Sequence, residues 1–379
     1  MSDNTQADEA GSADHGSAEP EWIGSELVDT GRIERLAVVG AGTMGHGIAV
    51  ALAGEGRSVT LYDVDEDALD AARKSIEDAV VTLVEHEEHA LNDADRVLRS
   101  IAYDSALSTA VADADLVIEA VPEDELIKRD VLERIEREAP PRVVVATNTS
   151  SFSITQLADA LDRPERFLGT HWFHPPHIVP VVEIVRGEAT AEGPVRAVET
   201  MLEDAGKTPV VVEKDVPGFI GNRIQSAMAR EAWALLDGGV ASAEDIDAAI
   251  KGTFGFRLPA LGVFEKGDHS GLDIHAKVLD ELLGEINGDT SPAAALTDLV
   301  EEGQYGVKTG EGVYDWSEVD VPTATEERDR QLLSLLSVYE GRERPAPKSG
   351  PDRSASDDLA DSDAPRTTDD SADAGPGGR

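Results

Sequence analysis

The stretch "RLAVVGAGTMGHGIAVALAGEGRSVTLYD", residues 35–63, constrains the fold more than any other part of this chain. A β-branched run leads into Gly40, Gly42 and Gly45, spaced G-x-G-x-x-G, with Gly47 one step further. A helical segment and a second β-run follow. Glycines at that spacing permit a tight turn and let backbone N–H groups approach a pyrophosphate at a helix N-terminus. Such a loop alone is weak evidence, but here it stands between a strand and a helix. Asp63 ends the next β-run, twenty-three residues after Gly40. A carboxylate there accepts from ribose hydroxyls and repels a 2′-phosphate, which favours NAD over NADP. FAD and a glycine turn without a ligand are the alternatives.

The remaining pattern extends that unit. From Arg32 to about Glu213, β-rich runs alternate with helical segments: "RLAVVGAG", "SVTLYD", "ADLVIEAV", "RVVVATNT", "RFLGTHWF", "VVEIVRG" and "TPVVVEK". Alternation of this kind predicts an α/β fold, a doubly wound and mostly parallel Rossmann-type sheet. After "DVPGF" the β-runs stop. "GNRIQSAMAREAWALLDGG" and "SAEDIDAAIKG" read as helices, the latter opened by Ser242 and Asp245 in a capping-box-like start. We therefore expect a disordered acidic tail at 1–31, an α/β domain at 32–214, a smaller all-helical domain at 215–340 and a second acidic tail at 341–379.

Charge excludes several classes of partner. The 379 residues carry 76 acids against 33 bases, a formal net charge of −43. The first 31 residues hold eight acids and no base, and residues 340–379 hold ten acids and six bases. That leaves 58 acids and 27 bases between the tails, so the folded part is itself strongly acidic. Such a surface repels nucleic acid and anionic membranes. Lysine is scarce, nine residues against twenty-four arginines, and the pattern is that of a salt-adapted cytoplasmic protein whose self-repulsion is screened by concentrated salt. A mesophilic acidic protein is the blander alternative. No apolar run is long enough to span a membrane. The opening "MSDNTQADEAGSADHGSAEPEW" is acidic rather than basic-then-apolar, so no secretory signal is expected. Cysteine is absent, which excludes disulfides and thiolate metal sites and agrees with a reducing compartment.

Candidate chemistry concentrates after the β-runs. In "GTHWFHPPHIVPVVEIV", residues 169–185, His171, His174 and His177 stand three apart, and Glu183 follows His171 by twelve. Pro175, Pro176 and Pro180 forbid a continuous helix. The chain must leave one strand at His171 and re-enter another near Val181, which can set His171 beside Glu183. A carboxylate touching an imidazole fixes its tautomer and makes it a better general base. A buried structural histidine and a metal site are the alternatives; the prolines weigh against metal because the three imidazoles share no helix face. "ATNTSSFSI" ends another β-run with Asn148, Thr149, Ser150 and Ser151, which read most simply as an N-cap for a helix near Ile154. Asn222 opens the helical part, as a cap or a cleft-facing amide. Glu119, Glu123 and Lys128 follow the apolar core of the third β-run and, taken alone, read as helix-start and surface charges. "HEEH" at 86–89 does not make a zinc-protease helix, because Ala90 stands where H-E-x-x-H needs its second histidine.

Together these motifs resemble the L-3-hydroxyacyl-CoA dehydrogenase family from about Arg32 to Ser317: "VVGAGTMGHGIA", "DLVIEAVPED", "NTSS", "HWFHPP…VEIV", "DVPGFIGNRI", "GVASAEDIDAAI", "GVFEKGDHSGLD" and "YGVKTGEGVYDW". The resemblance implies that His171 is the general base and Glu183 its partner. It implies that Ser150 and Asn222 contact the substrate, with His174 beside them. It assigns the NAD site to Gly40, Gly42, Thr43, Met44, Gly45, Asp63, Glu123, Lys128 and Asn148, with no metal. It implies a homodimer, paired through the helical domain, that oxidises L-3-hydroxyacyl-CoA in fatty-acid or hydroxybutyrate metabolism. Two departures point elsewhere. The family pattern at the histidine segment is H-F-F-N-P, and His174 replaces its asparagine. "HPPHIVPVVEIV" also resembles gulonate and carnitine dehydrogenases, which take small free 3-hydroxy acids. Family members often offer lysines after the second strand to meet the coenzyme A phosphate, yet here Arg73 and Lys74 give way to the acidic "VEHEEHALNDAD". A non-catalytic NAD-binding protein and a 6-phosphogluconate-type enzyme are further alternatives. The latter uses a lysine base where "GFIGNRIQ" supplies Asn222 and Arg223.

The charge balance makes a direct prediction. The thermal unfolding midpoint should rise as KCl is raised from about 0.1 M to about 1 M, where the Debye length shrinks from about 10 Å to about 3 Å. Differential scanning fluorimetry reads it, and a midpoint insensitive to KCl removes the salt-adaptation reading.

Overall fold

The computed structural model describes residues 32–54, 56–85 and 94–340. The expected tails and the "HEEH" segment lie outside these residues.

Eight strands form one sheet: β1 (Arg35–Val39), β2 (Ser58–Tyr62), β3 (Ile101–Asp104), β4 (Leu116–Glu119), β5 (Val144–Thr147), β6 (Phe167–Trp172), β7 (Val181–Val185) and β8 (Thr208–Val212). Their order is β3-β2-β1-β4-β5-β6-β7-β8, and every neighbouring pair is parallel except β6 with β7. In the first half of the chain the helices are α1 (Thr43–Gly54), α2 (Glu66–Glu85), α3 (Ala94–Arg99), α4 (Leu107–Val111), α5 (Glu125–Glu138), α6 (Ile154–Ala158) and α7 (Glu192–Asp204). They cover both faces. One apolar cluster joins α1, α2 and α7 to Leu36, Val38 and Val59, and another joins α4, α5 and α6 to Ala37, Val39 and Val117. Strands covered on both sides must be apolar on both sides, which is why β4 and β5 are continuous apolar runs.

Strand β3, "IAYD", was not among the seven expected β-runs. It is a four-residue edge strand in which Ala102 is exposed and Tyr103 and Asp104 are only partly buried, so it carries no apolar run to mark it. The N-cap expectation for "NTSS" is also corrected. Ser153 caps α6, its hydroxyl accepting from the Gln156 N–H at 3.2 Å, and the four preceding polar residues lie in the turn before it.

Because the strand order reverses on either side of β1, the carboxyl ends of β1 and β4 open a crevice, the usual ligand position in such sheets. Gly40 turns the chain there with φ 111°, and a Cβ on it would meet the Ala120 carbonyl oxygen at 2.6 Å. A Cβ on Gly45 would stand 1.8 Å from the Gly40 carbonyl oxygen. Both glycines are steric requirements of the turn.

The second half is helical: α8 (Gly221–Asp237), α9 (Ala243–Ile250), α10 (Val263–Ser270), α11 (Leu272–Leu282), α12 (Ala294–Glu301) and α13 (Val321–Glu340). Ser242 caps α9, accepting from the Asp245 N–H. Helices α8, α9, α11 and α12 bury no residue, while Phe256 and Phe264 are 80% and 87% exposed. An apolar concavity of about 1020 Å³ opens there, lined by Ile224, Met228, Leu235, Phe254, Leu258 and Val263. Helix α13 behaves differently: its Leu333 and Leu336 join the core on the α1–α2 face of the sheet, and its Arg330 reaches Glu85 at the end of α2. No described helix is long and apolar enough to cross a membrane.

Candidate active site

The antiparallel pair β6–β7 sets His171 directly opposite Glu183. Side chains of opposed residues share one face of the sheet, and here the imidazole Nδ1 and the Glu183 Oε2 are 2.7 Å apart. Both residues are buried. A carboxylate accepts and cannot donate, so Nδ1 carries a proton and Nε2 is the ring nitrogen left free of Glu183. The other carboxylate oxygen, Oε1, accepts from the backbone N–H groups of Gly221 at 2.8 Å and Ile220 at 3.0 Å, where α8 begins. Burial by itself would raise the Glu183 carboxyl. The hydrogen bond from His171 and those two amides outweigh it and hold the group below the ordinary glutamate value.

The turn that delivers those amides is strained. Phe219, the residue before Ile220, has φ 49° and is buried, with its ring 5.5 Å from the imidazole; the Phe173 ring lies at 4.5 Å on β6's side. A left-handed bulky residue is unusual and persists where its surroundings demand it. Phe219 escaped the sequence reading, because nothing in "PGFIG" announces a left-handed phenylalanine.

Beyond His171, the proline segment forms a turn rather than a helix. Its carbonyls at Pro176 and Val179 accept from the Lys207 ammonium at 2.9 and 3.0 Å, and burial lowers that lysine to about 8. His174 is exposed. Partial desolvation of the ring, followed by the nearby Arg328 of α13, still lowers its pKa, with Asp329 acting against them. His177 packs against α1 at Gly47, and burial, followed by His46 and Lys207, pushes it down to about 3. Its Nδ1 is buried without a hydrogen-bond partner among the described residues. The three histidines thus have three different environments.

The turn 148–151 faces this pair of strands. The Asn148 side-chain oxygen accepts from the Trp172 N–H at 3.0 Å, beside His171, and the Asn222 amide lies 3.5 Å from the Ser150 carbonyl oxygen. One carboxylate oxygen of Glu123 gathers the turn: it accepts from Thr149 Oγ1 at 2.7 Å, Ser150 N–H at 2.8 Å, Ser151 Oγ at 3.0 Å and Ser151 N–H at 3.1 Å. Burial opposes its ionisation, but Thr149, Lys128 and the turn amides hold it below the ordinary value. The reading of Glu119 and Lys128 as surface charges is therefore corrected, while Glu123 is exposed as expected. Glu119 is fully buried and Lys128 is 1% exposed. The ammonium lies 2.9 and 3.2 Å from the Glu119 oxygens and 3.2 Å from Glu123. Burial drives the Glu119 carboxyl upward against the pull of Lys128. Linear sequence shows charges at a helix start; it does not show that the second turn of α5 folds under the end of β4.

At the glycine loop, Asp63 stands just past β2, its carboxylate accepting from the Ala41 N–H at 2.8 Å. Thr43 opens α1 at the mouth of the crevice, followed by half-buried Met44. A Cβ on Gly42 would meet nothing within 4 Å, so the loop is open above the first turn of α1, where helix N–H groups have no intrahelical partner. Open amides at a helix start suit a pyrophosphate, and the carboxylates of Asp63, Asp65, Glu66 and Asp67 disfavour any additional ribose phosphate. The loop therefore fits NAD.

Comparison with known proteins agrees. The family described as 3-hydroxyacyl-CoA dehydrogenase, NAD binding domain, matches residues 35–216, and its C-terminal domain matches residues 218–316. The chain is 35% identical over 311 residues to a 5-formyl-3-hydroxy-2-methylpyridine 4-carboxylate 5-dehydrogenase of Mesorhizobium japonicum, covering 82% of this chain and all of that protein. It is 35% identical over 288 residues to a probable 3-hydroxybutyryl-CoA dehydrogenase of Bacillus subtilis, covering 76% of this chain and 98% of that protein. A solved structure of the pyridine carboxylic acid dehydrogenase, described as an NAD+ dependent dismutase, has a TM-score of 0.77 at 34% identity, over 82% of this chain and 100% of that one.

The geometry around Glu183 predicts a pH-dependent contribution to stability. Its folded pKa lies below the ordinary value, so its stabilisation is complete above about pH 4.3 and disappears as pH falls through the folded value. At pH 7, Glu183→Gln should cost about 1.5–3 kcal/mol, the range for hydrogen bonds to a charged group. Urea titrations at pH 7 and at a pH below about 4 should show that deficit shrinking with acidity; a deficit independent of pH counts against a carboxylate held ionised by α8.

Proposed function

Since the chain belongs to the 3-hydroxyacyl-CoA dehydrogenase family, we propose that it oxidises an L-3-hydroxyacyl-CoA to the 3-keto thioester, reversibly, with His171 as general base. It is an NAD-dependent oxidoreductase acting on a CH–OH group of a small molecule. The observation that carries the proposal is the 2.7 Å contact between His171 and a Glu183 already fixed by two helix amides. His171 Nε2 takes the substrate hydroxyl proton. Glu183, which holds Nδ1–H, stabilises the imidazolium that results and keeps the ring from turning. Ser150 and Asn222 orient the oxygen at C3, and in the reverse direction Ser150 and protonated His171 polarise the ketone. When bound, NAD supplies the hydride acceptor at its nicotinamide ring. Gly40, Gly42, Thr43, Met44 and Gly45 would hold its pyrophosphate and Asp63 its adenine ribose, with Asn148, Glu123 and Lys128 on the nicotinamide side.

A second reading, a small free hydroxy acid in place of the thioester, has specific support. The chain covers all of the pyridine carboxylate dehydrogenase at 35% identity, and the substrate in that protein's name is a small carboxylate rather than a thioester. In this chain α13 lies against α2, and the end of α2 presents Glu85 rather than lysines. The acyl-CoA reading assigns the protein to fatty-acid or hydroxybutyrate metabolism; the second leaves that assignment. Under either, we place the protein in a salt-rich cytoplasm as a homodimer. The unburied apolar surface of α8–α12 supports the pairing, since exposed apolar area of that extent marks an interaction site.

Two experiments test these readings. At high salt, NADH oxidation with acetoacetyl-CoA should proceed, and His171→Ala should lower turnover by about 10²–10⁴-fold. Turnover with acetoacetate and none with the thioester would transfer the proposal to the free acid, and undiminished turnover in His171→Ala removes the mechanism. His174→Asn restores the family's asparagine beside the base. It should raise the kcat/KM ratio of acetoacetyl-CoA to acetoacetate by up to about 10-fold, the equivalent of one net hydrogen bond. An unchanged ratio takes His174 out of substrate selection.

A further inference from the structure

Helix α8 presents two different faces. Gly221, Ile224 and Met228 line the apolar concavity of the helical half. Asn222, Ser226 and Arg230 follow one another at four-residue spacing and share the opposite stripe. With Gly218, Arg223 and Ala227 they line a second, smaller cavity of about 410 Å³, a size that small-molecule sites take. Asn222, given to the substrate above, belongs to this cavity, and its amide lies 3.5 Å from the Ser150 carbonyl oxygen. The cavity therefore begins at the reacting centre and runs along α8. Both of its arginines are exposed. Arg223 donates to the Pro217 carbonyl oxygen at 3.2 Å and Arg230 to the Asp289 carbonyl oxygen at 3.5 Å. Among the described residues neither has a carboxylate partner. The Asp289 carboxylate accepts from the Asn287 amide at 3.0 Å instead.

Elsewhere this acid-rich chain supplies its arginines with acids: Arg35, Arg129, Arg163, Arg186 and Arg196 each meet one. Two guanidinium groups on one cavity reverse the sign of the surface locally, and a single carbonyl partner leaves most of each group's five N–H donors open. Such a place selects for an anion. The planar fork of arginine matches a carboxylate through two parallel N–H···O bonds. A doubly charged phosphate needs more counter-charge, and the surrounding acidic field opposes it. Position sets where on the ligand the carboxylate lies. Arg230 is eight residues, about 12 Å of helix rise, beyond Asn222. With Asn222 on the oxygen at C3, the carboxyl carbon C1, only one carbon away, stays near the start of α8. The anion that Arg230 meets is at the other end of the substrate, several bonds from the reacting carbon.

We propose that Arg230, flanked by Arg223, is a specificity-determining residue: it binds a carboxylate at the end of the substrate remote from C1, held along the Asn222–Ser226–Arg230 stripe. This rests on the substrate role given to Asn222 above. It narrows the substrate class to 3-hydroxy compounds that end in an acid, whether C1 is a free carboxylate or a thioester.

A matched pair of keto substrates tests it: 3-oxoadipate and 3-oxohexanoate, which differ in a terminal carboxylate against a methyl group. Each is offered with NADH as the free acid and as the C1 coenzyme A thioester, at the lowest KCl that keeps the enzyme folded. In whichever form is turned over, kcat/KM should favour the carboxylate-ended member by about 10-fold or more, the scale of one hydrogen bond to a charged group. Arg230→Met removes the charge from an exposed side chain and should bring that ratio close to one. The change should fall chiefly on KM, because a contact far from the reacting atoms binds ground and transition states alike. Arg230→Lys should keep part of the preference. A wild-type ratio near one, or a preference that survives in Arg230→Met, overturns the proposal. So does turnover of acetoacetyl-CoA or acetoacetate without turnover of 3-oxoadipate in either form. A loss in Arg230→Met confined to the thioesters and equal for both acyl groups gives Arg230 to a phosphate of the carrier, and overturns it too. All of these leave the reaction itself standing. Asn222→Ala with undiminished kcat/KM overturns the role of Asn222, and the proposal with it.

Discussion

The carboxylate of Glu183 joins three elements that the chain would otherwise leave independent. One oxygen belongs to His171 on β6 and the other to the first amides of α8, while the residue itself sits on β7. The antiparallel turn of the proline segment, the strained entry at Phe219 and the start of the helical half all meet at this one side chain. A buried carboxylate satisfied from two sides is rigid, and it passes that rigidity to the imidazole. The imidazole is thereby held in one tautomer, the preorganisation that the base role proposed for it requires.

The same solution recurs on the other side of the crevice. Glu119 is buried against Lys128, and Glu123 is spent on a backbone turn. In a chain with 76 acids, most carboxylates face water and repel one another. The few that are buried each have a cation or several N–H and O–H donors. The electrostatic field of the surface and that of the site are therefore separate matters: salt screens the first, and the second lies where screening is weak.

Much was legible in the chain itself. The G-x-G-x-x-G loop and the carboxylate twenty-three residues on predict an NAD site because backbone sterics and charge leave few other uses for that spacing, and the family agrees. Seven of the eight strands show as apolar runs because both faces of a doubly wound sheet are covered; β3 does not, because an edge strand need not be apolar. The three prolines between His171 and Glu183 forbid a helix, which leaves a strand–turn–strand reading that sets the two residues side by side. Other features carry no such signal. Lys128 looks like any lysine one turn into a helix, and Phe219 like any aromatic after a glycine.

Sequence by itself determined the fold class, the cofactor and the family, because each follows from local periodicity, steric need and the spacing of chemical groups along the chain. Tertiary structure alone decided how those groups are used. It placed Lys128 under β4 rather than in water, gave Glu123 to the turn before α6, moved the cap of that helix to Ser153, and returned α13 to the sheet beside α2. These outcomes depend on which distant segments share a dry interior. There an unpaired charge or amide is expensive, so partners are chosen by proximity in space rather than by distance in sequence.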